Sequence, residues 1–431
     1  MQVLVSHLIS LFLGISILCL GVFQLIQCDF SMLTGFGISR ILLSLTLVFF
    51  GIFTCLSQFL ITIPPVEKSW KNIMVETNYT GPTIKKRITH TFAVELYNYF
   101  RTGNGVAKLN KRDVYRIIEE GVAVLQTRDS LTRITLKQGE KITLVGDIHG
   151  QFFDLCTIFR DNGLPSSDNP YLFNGDLVDR GKFSVENVLV LFSFMISNPE
   201  SVYIAKGNHE TTDVNWGYGF RYEVLSKYDN DTFMMMTTAL RWLPYAHLIN
   251  NKVFIVHGGL PPVHFKLEQI NDLERGVDPC ENSFEMELLW NDPMIKNGSK
   301  PSYRGAGHLF GPDVVDRFLE ENKLDLVIRS HELKAEGFDY FDNKKMMTLF
   351  SAPNYSGINQ NKGAYVKMKC ADKIEFQVVQ FSAAKKQPDI NLAPNETIEI
   401  VQEEIDGESL FGTLASFSVI SLLIFAIVNA L

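Results

Sequence analysis

Five short polar blocks constrain this chain more than anything else in it: Gly146-Asp147-Ile148-His149-Gly150, Gly175-Asp176-Leu177-Val178-Asp179-Arg180-Gly181, Gly207-Asn208-His209-Glu210, His257-Gly258-Gly259 and Arg329-Ser330-His331-Glu332. Each follows an apolar run of β-forming residues: ITLV (142–145), YLF (171–173), VYIA (202–205), VFIV (253–256) and LVI (326–328), with MTLF (347–350) as a further run of the same kind. Near-continuous apolar runs of this length are strands buried on both faces. An α/β sheet presents its functional loops at the carboxyl ends of its strands, so the blocks are expected to converge on one place.

The residue types in those blocks are metal ligands. Asp147 and His149 are two apart, a spacing that points both side chains the same way in extended backbone. Asp176 follows the next strand and offers a carboxylate able to bridge two cations, Asn208 adds a neutral amide oxygen, and His257 and His331 add imidazoles. Hard oxygen mixed with borderline nitrogen suits iron, zinc or manganese and does not suit calcium. A single Asp or His at a strand end is ordinarily a cap or a satisfied polar group. Five such blocks in sequence are read as a two-metal site.

Together with Ser351-Ala352-Pro353-Asn354-Tyr355, the blocks resemble the signature of the PPP family of metal-dependent serine/threonine protein phosphatases: GDxHG, GDxVDRG, GNHE, HGG, RSHE and SAPNY in that order. The likeness covers roughly residues 85 to 383 and runs on through 169–174, 288–293, 310–314 and 318–325, nearest the type-five branch. It implies an α/β (α+β) metallophosphoesterase fold, a central β-sandwich of mixed sheets flanked by helices. It implies two divalent or trivalent ions, manganese or iron with zinc: one on Asp147, His149 and His331, the other on Asn208 and His257, with Asp176 bridging. A hydroxide between the metals would attack phosphorus in line. His209 would be the general acid, Asp179 its orienting partner, and Arg180 and Arg304 the phosphoryl-binding cations, with Asn208, Tyr218 and Tyr355 as further substrate contacts. Two positions depart from the family: Lys206 stands where Arg usually precedes GNHE, and Ser356 where relatives commonly carry Cys.

Outside that region the chain reads differently. Residues 8–26, 41–63 and 409–431 are uncharged and apolar, long enough for bilayer-spanning helices. The expected organisation is two transmembrane helices and a loop (1–63), a linker (64–84), the catalytic domain (85–383), a flexible tether (384–408) and a tail anchor (409–431). Amphipathic helices are expected over 88–101 and 111–127, and no tetratricopeptide module of the type-five kind in front of them. The six cysteines form no CxxC pair, and Lys68, Lys71, Lys85, Lys86 and Arg87 follow the second apolar run. Both features predict a multi-pass membrane protein with its catalytic domain in the cytosol. Net charge is −8 with Lys and Arg scattered, which argues against nucleic acid as a partner and leaves phosphoproteins and the membrane; a regulatory partner is unknown from sequence. The rival readings are a catalytically weak or inactive membrane scaffold of the same fold, and a metallophosphoesterase acting on a non-protein substrate. Retention of all six ligands, His209 and both arginines weighs against the first. The protein-phosphatase stretches around Trp290 and Tyr355 weigh against the second.

Overall fold

The computed structural model describes residues 70–385 apart from 104 and 372, together with 388, 390 and 392. Two helices come first, α1 (His90–Thr102) and α2 (Lys111–Gln126). Each begins where a polar side chain satisfies an otherwise orphaned amide: the Thr89 hydroxyl accepts from Phe92 N–H and the Asn110 carbonyl oxygen from Asp113 N–H. Their apolar faces pack on a later helix, Ser184–Ser197.

The chain then weaves two large sheets and a small one. Strands β1 (Leu131–Ile134) and β2 (Lys141–Val145) precede α3 (Phe152–Asn162); β3 (Tyr171–Phe173), α4 (Ser184–Ser197) and β4 (Val202–Ile204) follow. Three helices come next, α5 (Thr212–Gly217), α6 (Phe220–Lys227) and α7 (Asn230–Leu240), then β5 (Ala246–Ile249) and β6 (Val253–Val256). Beyond them lie α8 (Phe284–Trp290), the short strands β7 (Asp292–Pro293), β8 (Ser299–Pro301) and β9 (His308–Phe310), α9 (Pro312–Asn322), β10 (Leu326–Arg329), β11 (Phe338–Phe341), β12 (Met346–Leu349), β13 (Gly363–Cys370) and β14 (Ile374–Phe381). The six-stranded sheet runs β1-β5-β6-β10-β12-β11 and the five-stranded one β14-β13-β2-β3-β4, both with parallel and antiparallel pairs, and a small third sheet runs β7-β9-β8.

The two large sheets face each other across a core in which Ile142, Leu144 and Leu172 meet Ile255, Ile328 and Leu349. On its other face the longer sheet buries Leu248, Phe254 and Val256 against Leu288, Val315 and Phe318 from α8 and α9. Both faces of each central strand are therefore apolar, which is why those strands show no alternation in sequence. At the carboxyl ends of β2, β3, β6 and β10 the sheets are tied together. Asp147 bridges to Phe350, and the Asn174 amide reaches across to Val256 O (2.8 Å) and Ser330 Oγ (3.0 Å). The functional loops leave from this seam.

One expectation is corrected. Among the described residues no helix is long and apolar enough to cross a membrane, and the segments 8–26, 41–63 and 409–431 lie outside those residues. The metallophosphoesterase fold is found with no transmembrane helix among the described residues, and the multi-pass membrane localisation and membrane partner inferred from those segments are not supported. An uncharged run of about 20 residues meets the length rule for a span, but hydropathy alone does not separate a span from a buried segment.

A buried histidine in this core makes stability pH-dependent. His247 on β5 is fully buried beside the Tyr203 ring, and among the described residues neither of its ring nitrogens has a hydrogen-bond partner. Burial, with the Arg128 guanidinium adding to it, holds its pKa down to about 3 from an ordinary 6.5. The unfolded chain takes up that proton first, so stability is present above the ordinary value and is lost as pH falls towards the depressed one. The loss by pH 5 is on the order of 2 kcal/mol. His247→Phe is expected to flatten the fall in Tm between pH 7 and 5; an unchanged slope would assign acid sensitivity to other groups.

Candidate active site and metal centre

The site is built from loops in conformations that most residues avoid. His149, Asp176, Asp179, Arg180 and His331 all have positive φ, between 38° and 70°. Strain of that kind persists only where surrounding contacts enforce it. Glu210 supplies much of the enforcement: its carboxylate accepts from the amides of Asp176, Leu177 and Gly207, each at 2.8 Å. Gly207 must be glycine, because a Cβ there would lie 2.2 Å from Asp176 Oδ1.

Asp176 sits between two imidazoles, with Oδ2 at 3.3 Å from His149 Nε2 and Oδ1 at 3.3 Å from His257 Nε2. The other nitrogen of each ring is held by a carbonyl, His149 Nδ1 by Val178 O (2.9 Å) and His257 Nδ1 by Asn174 O (2.7 Å). Those bonds assign the ring proton to Nδ1 and turn the Nε2 lone pair towards the carboxylate. Asn208 Oδ1 also lies 3.0 Å from His257 Nε2. Acceptors thus face acceptors, an arrangement that a cation resolves.

Further observations support the fit. Asp147 Oδ2 and His331 Nε2 are buried without a hydrogen-bond partner, although Asp147 Oδ1 accepts from His331 N–H at 3.2 Å. The donor atoms of His149, Asp176 and His209 lie within 4.8 Å of one another, as do those of Asp176, His257 and His331. Without cations the charges settle otherwise. Burial lowers His149 to about 3, leaving it neutral, and raises Asp147 to about 7 with Asp176 beside it. Burial also opposes a charge on His257, but the Asp176 carboxylate outweighs it and lifts this ring to about 9. Protons therefore compete with metal for the cluster.

Beside the cluster, His209 Nδ1 lies 2.7 Å from Asp179 Oδ2, and Asp179 Oδ1 accepts from Phe220 N–H at the start of α6 (2.8 Å). Burial alone would lower the His209 pKa; the Asp176 charge and the Asp179 hydrogen bond outweigh it and raise it. Arg180 lies over the Tyr218 ring at 4.4 Å, and Arg304 donates from Nε to Asp292 Oδ2. Asp147, His149, Asp176, Arg180, Asn208, His209, Tyr218, Arg304, His331 and Tyr355 line one cavity of about 750 Å³, whose rim includes Trp290, Tyr303 and Leu333. Asp179 and His257 stand behind it, fully buried.

Several supporting residues were not singled out from sequence: Glu210, Asn174, Asn215, Asp292 and Arg329. Asn215 donates to His209 O, and Thr237 Oγ1 donates to Asn215 Oδ1 (2.9 Å). Asp292 accepts from Arg304 on one oxygen and from the fully buried Arg329 on the other (2.8 Å). Asp292→Asn should release Arg304 and leave Arg329 under-compensated. We expect a loss of about 10–100-fold in kcat/KM and roughly 3 kcal/mol of stability. Equal kcat/KM in variant and parent would remove Asp292 from any role in holding Arg304.

A family model described as calcineurin-like phosphoesterase matches residues 140–335, and one described as the PPP5 TPR repeat region matches 65–133. The second match takes in α1 and α2, and corrects the expectation that the tetratricopeptide module of the type-five kind is absent in front of the catalytic domain. Serine/threonine-protein phosphatase 5 of Arabidopsis thaliana is 44% identical over 318 residues, covering 73% of this chain and 58% of the relative. The protein of the same name from Homo sapiens is 42% identical over 326 residues, covering 75% and 64%. A solved protein serine/threonine phosphatase from Saccharomyces cerevisiae, described as similar to human phosphatase PP5, matches at 36% identity with a TM-score of 0.64, covering 68% of this chain and 95% of that one. The chain belongs to the PPP family of serine/threonine protein phosphatases. It spans about three fifths of the length of those two curated relatives.

Within the family, this chain's two departures have defined surroundings. Lys206 is fully buried, donates to Arg241 O (2.7 Å) and lies 4.6 Å over the Tyr245 ring. Burial brings its pKa down to about 7. Ser356 is exposed and lines a depression beside the active-site cavity.

Proposed function

We propose that this chain is a metal-dependent protein phosphatase that hydrolyses phosphoserine and phosphothreonine. The observation that supports the reading best is the pairing of Asp176, flanked by two imidazoles, with a buried His209–Asp179 dyad and two arginines around one cavity. Asp147, His149 and His331 would hold one cation, Asn208 and His257 the other, and Asp176 both. Two such cations, when bound, supply Lewis acidity at the phosphoryl group and lower the pKa of water held there.

The chain's own groups do the rest. Arg180 and Arg304 receive the phosphoryl oxygens, their guanidinium forks matching that geometry and offsetting charge that builds in the transition state. His209, charged and held by Asp179, donates the Nε2 proton to the departing serine or threonine oxygen as the phosphorus–oxygen bond breaks. Asn208, Tyr218 and Tyr355 border the same space. Trp290, Tyr303 and Leu333 give the mouth an apolar rim on which residues flanking a phosphoserine can rest. That rim, and the names of the relatives, favour a protein substrate over a small phosphodiester.

The test offers the full chain, loaded with manganese, phosphoserine and phosphothreonine peptides against a phosphotyrosine peptide and a nucleotide diester. We expect the first two to be turned over at least about tenfold faster, a difference of about 1.4 kcal/mol in barrier. Preference for the diester would move the reading to a non-protein substrate. A metal-loaded chain that turns over none of them would be a scaffold.

A further inference from the structure

We propose that a buried charge triad, Glu186, Glu223 and Lys227, positions Arg180 for the phosphoryl group by fixing the backbone of the loop that carries this arginine. The inference rests on the phosphatase reading, which gives Arg180 its role, and adds three positioning residues to it.

The triad lies between α4 and α6, outside the active-site cavity. Lys227, at the end of α6, has three N–H donors and three partner residues: Glu186 (2.6 and 2.8 Å), Glu223 Oε1 (2.8 Å) and the carbonyl of Lys182 (3.0 Å). All three side chains are 7% exposed or less. Burial opposes the Lys227 charge, but Glu186 and Glu223 outweigh it and raise its pKa, so the ammonium keeps its donors. Two carboxylates against one ammonium leave a negative charge, and Glu223 sets it against the first amides of α4, accepting from Ser184 N–H (2.9 Å) and Val185 N–H (2.8 Å).

Burying three charges is a poor route to stability, because apolar side chains of similar volume do as well or better. What these charges add is a grip on backbone at named points. Those points, Lys182, Ser184 and Val185, all follow closely on Arg180 in the chain. Asp179 and Arg180 themselves have φ of 69° and 68°. Such conformations persist only where surrounding contacts enforce them.

The other side of the loop is held by the start of the same helix. Phe220 N–H donates to Asp179 Oδ1 (2.8 Å), Arg180 N–H donates to Tyr218 O (3.0 Å), and the Arg180 guanidinium lies over the Tyr218 ring. The eight residues of α6 thus hold the loop before and after Arg180, with Glu223 and Lys227 supplying the second hold. Loss of that hold lets the guanidinium drift from the metal cluster, and a misplacement of about 1 Å is worth on the order of 10²-fold in rate.

The experiment is a double-substitution cycle in the full, manganese-loaded chain. Lys227→Met should lower kcat/KM by about 10–100-fold, equally on a phosphothreonine peptide and on p-nitrophenyl phosphate, because both present the same phosphoryl oxygens to Arg180. Metal content should stay at the parent level, and Lys227→Arg, which keeps charge and donors, should stay within about threefold of the parent. In an Arg180→Ala background, Lys227→Met should change kcat/KM by less than about twofold, since the group it positions is gone. Losses that multiply in full, a loss confined to the peptide, or parental kcat/KM in Lys227→Met would each overturn the proposal. Should Lys227→Met not fold, Glu186→Gln enters the same cycle; its loss of about threefold to tenfold should vanish with Arg180→Ala. Calorimetry with inorganic phosphate separates the two readings. Phosphate held about tenfold more weakly by Lys227→Met, with no turnover of either substrate by the parent, would refute the phosphatase and keep the positioning role.

Discussion

His209→Asn should lower kcat on a phosphothreonine peptide by about 10²–10⁴-fold, the range that a positioned general acid contributes. The effect depends on the leaving group. A threonine alkoxide needs a proton as it departs and nitrophenolate does not, so p-nitrophenyl phosphate should lose far less. Metal content should stay near the parent level: a ligand atom of His209 lies within 4.8 Å of those of His149 and Asp176, but Nδ1 is taken up by Asp179 and the six-ligand set does not use this ring. Equal losses on both substrates would make His209 a binding or structural group. Asp179→Asn should follow His209→Asn in direction, since Asp179 both orients the ring and favours its charged form.

Asp176→Asn should cost more. Its two oxygens each lie 3.3 Å from a different imidazole, and an amide offers only one acceptor oxygen and turns two N–H donors towards the other ring. We expect loss of both tightly held metals and a fall in kcat/KM of at least about 10³-fold, the several kcal/mol that metal-assisted hydrolysis supplies. The same substitution removes a carboxylate that, without metal, is held ionised by its pairing with His257 and accepts from His209 N–H. The metal-free variant should therefore unfold below the metal-free parent, while the metal-loaded parent stands above both. A variant that keeps both metals would contradict the bridging role.

Much of this was legible because strand ends are local. The runs at 142–145, 171–173, 253–256 and 326–328 coincide with β2, β3, β6 and β10, and the polar block after each is where the structure gathers side chains. The supporting residues were not legible, because their partners are distant: Asp292 meets Arg329 across 37 positions, and Asn174 meets Ser330 across 156. Glu210 was in view as part of a block, yet its role as acceptor for three amides depends on two strand ends meeting. Hydropathy was not enough at the flanks, because uncharged length is a necessary mark of a membrane span and not a sufficient one.

The central claim is that phosphate release from a phosphothreonine peptide requires two cations held by one set of six ligands. Metal bound per chain and peptide turnover should be measured together as manganese is titrated into the metal-free full chain. The account predicts negligible turnover until the second equivalent binds, and full turnover at two. Turnover that is complete at one equivalent, or that persists without metal, would contradict it.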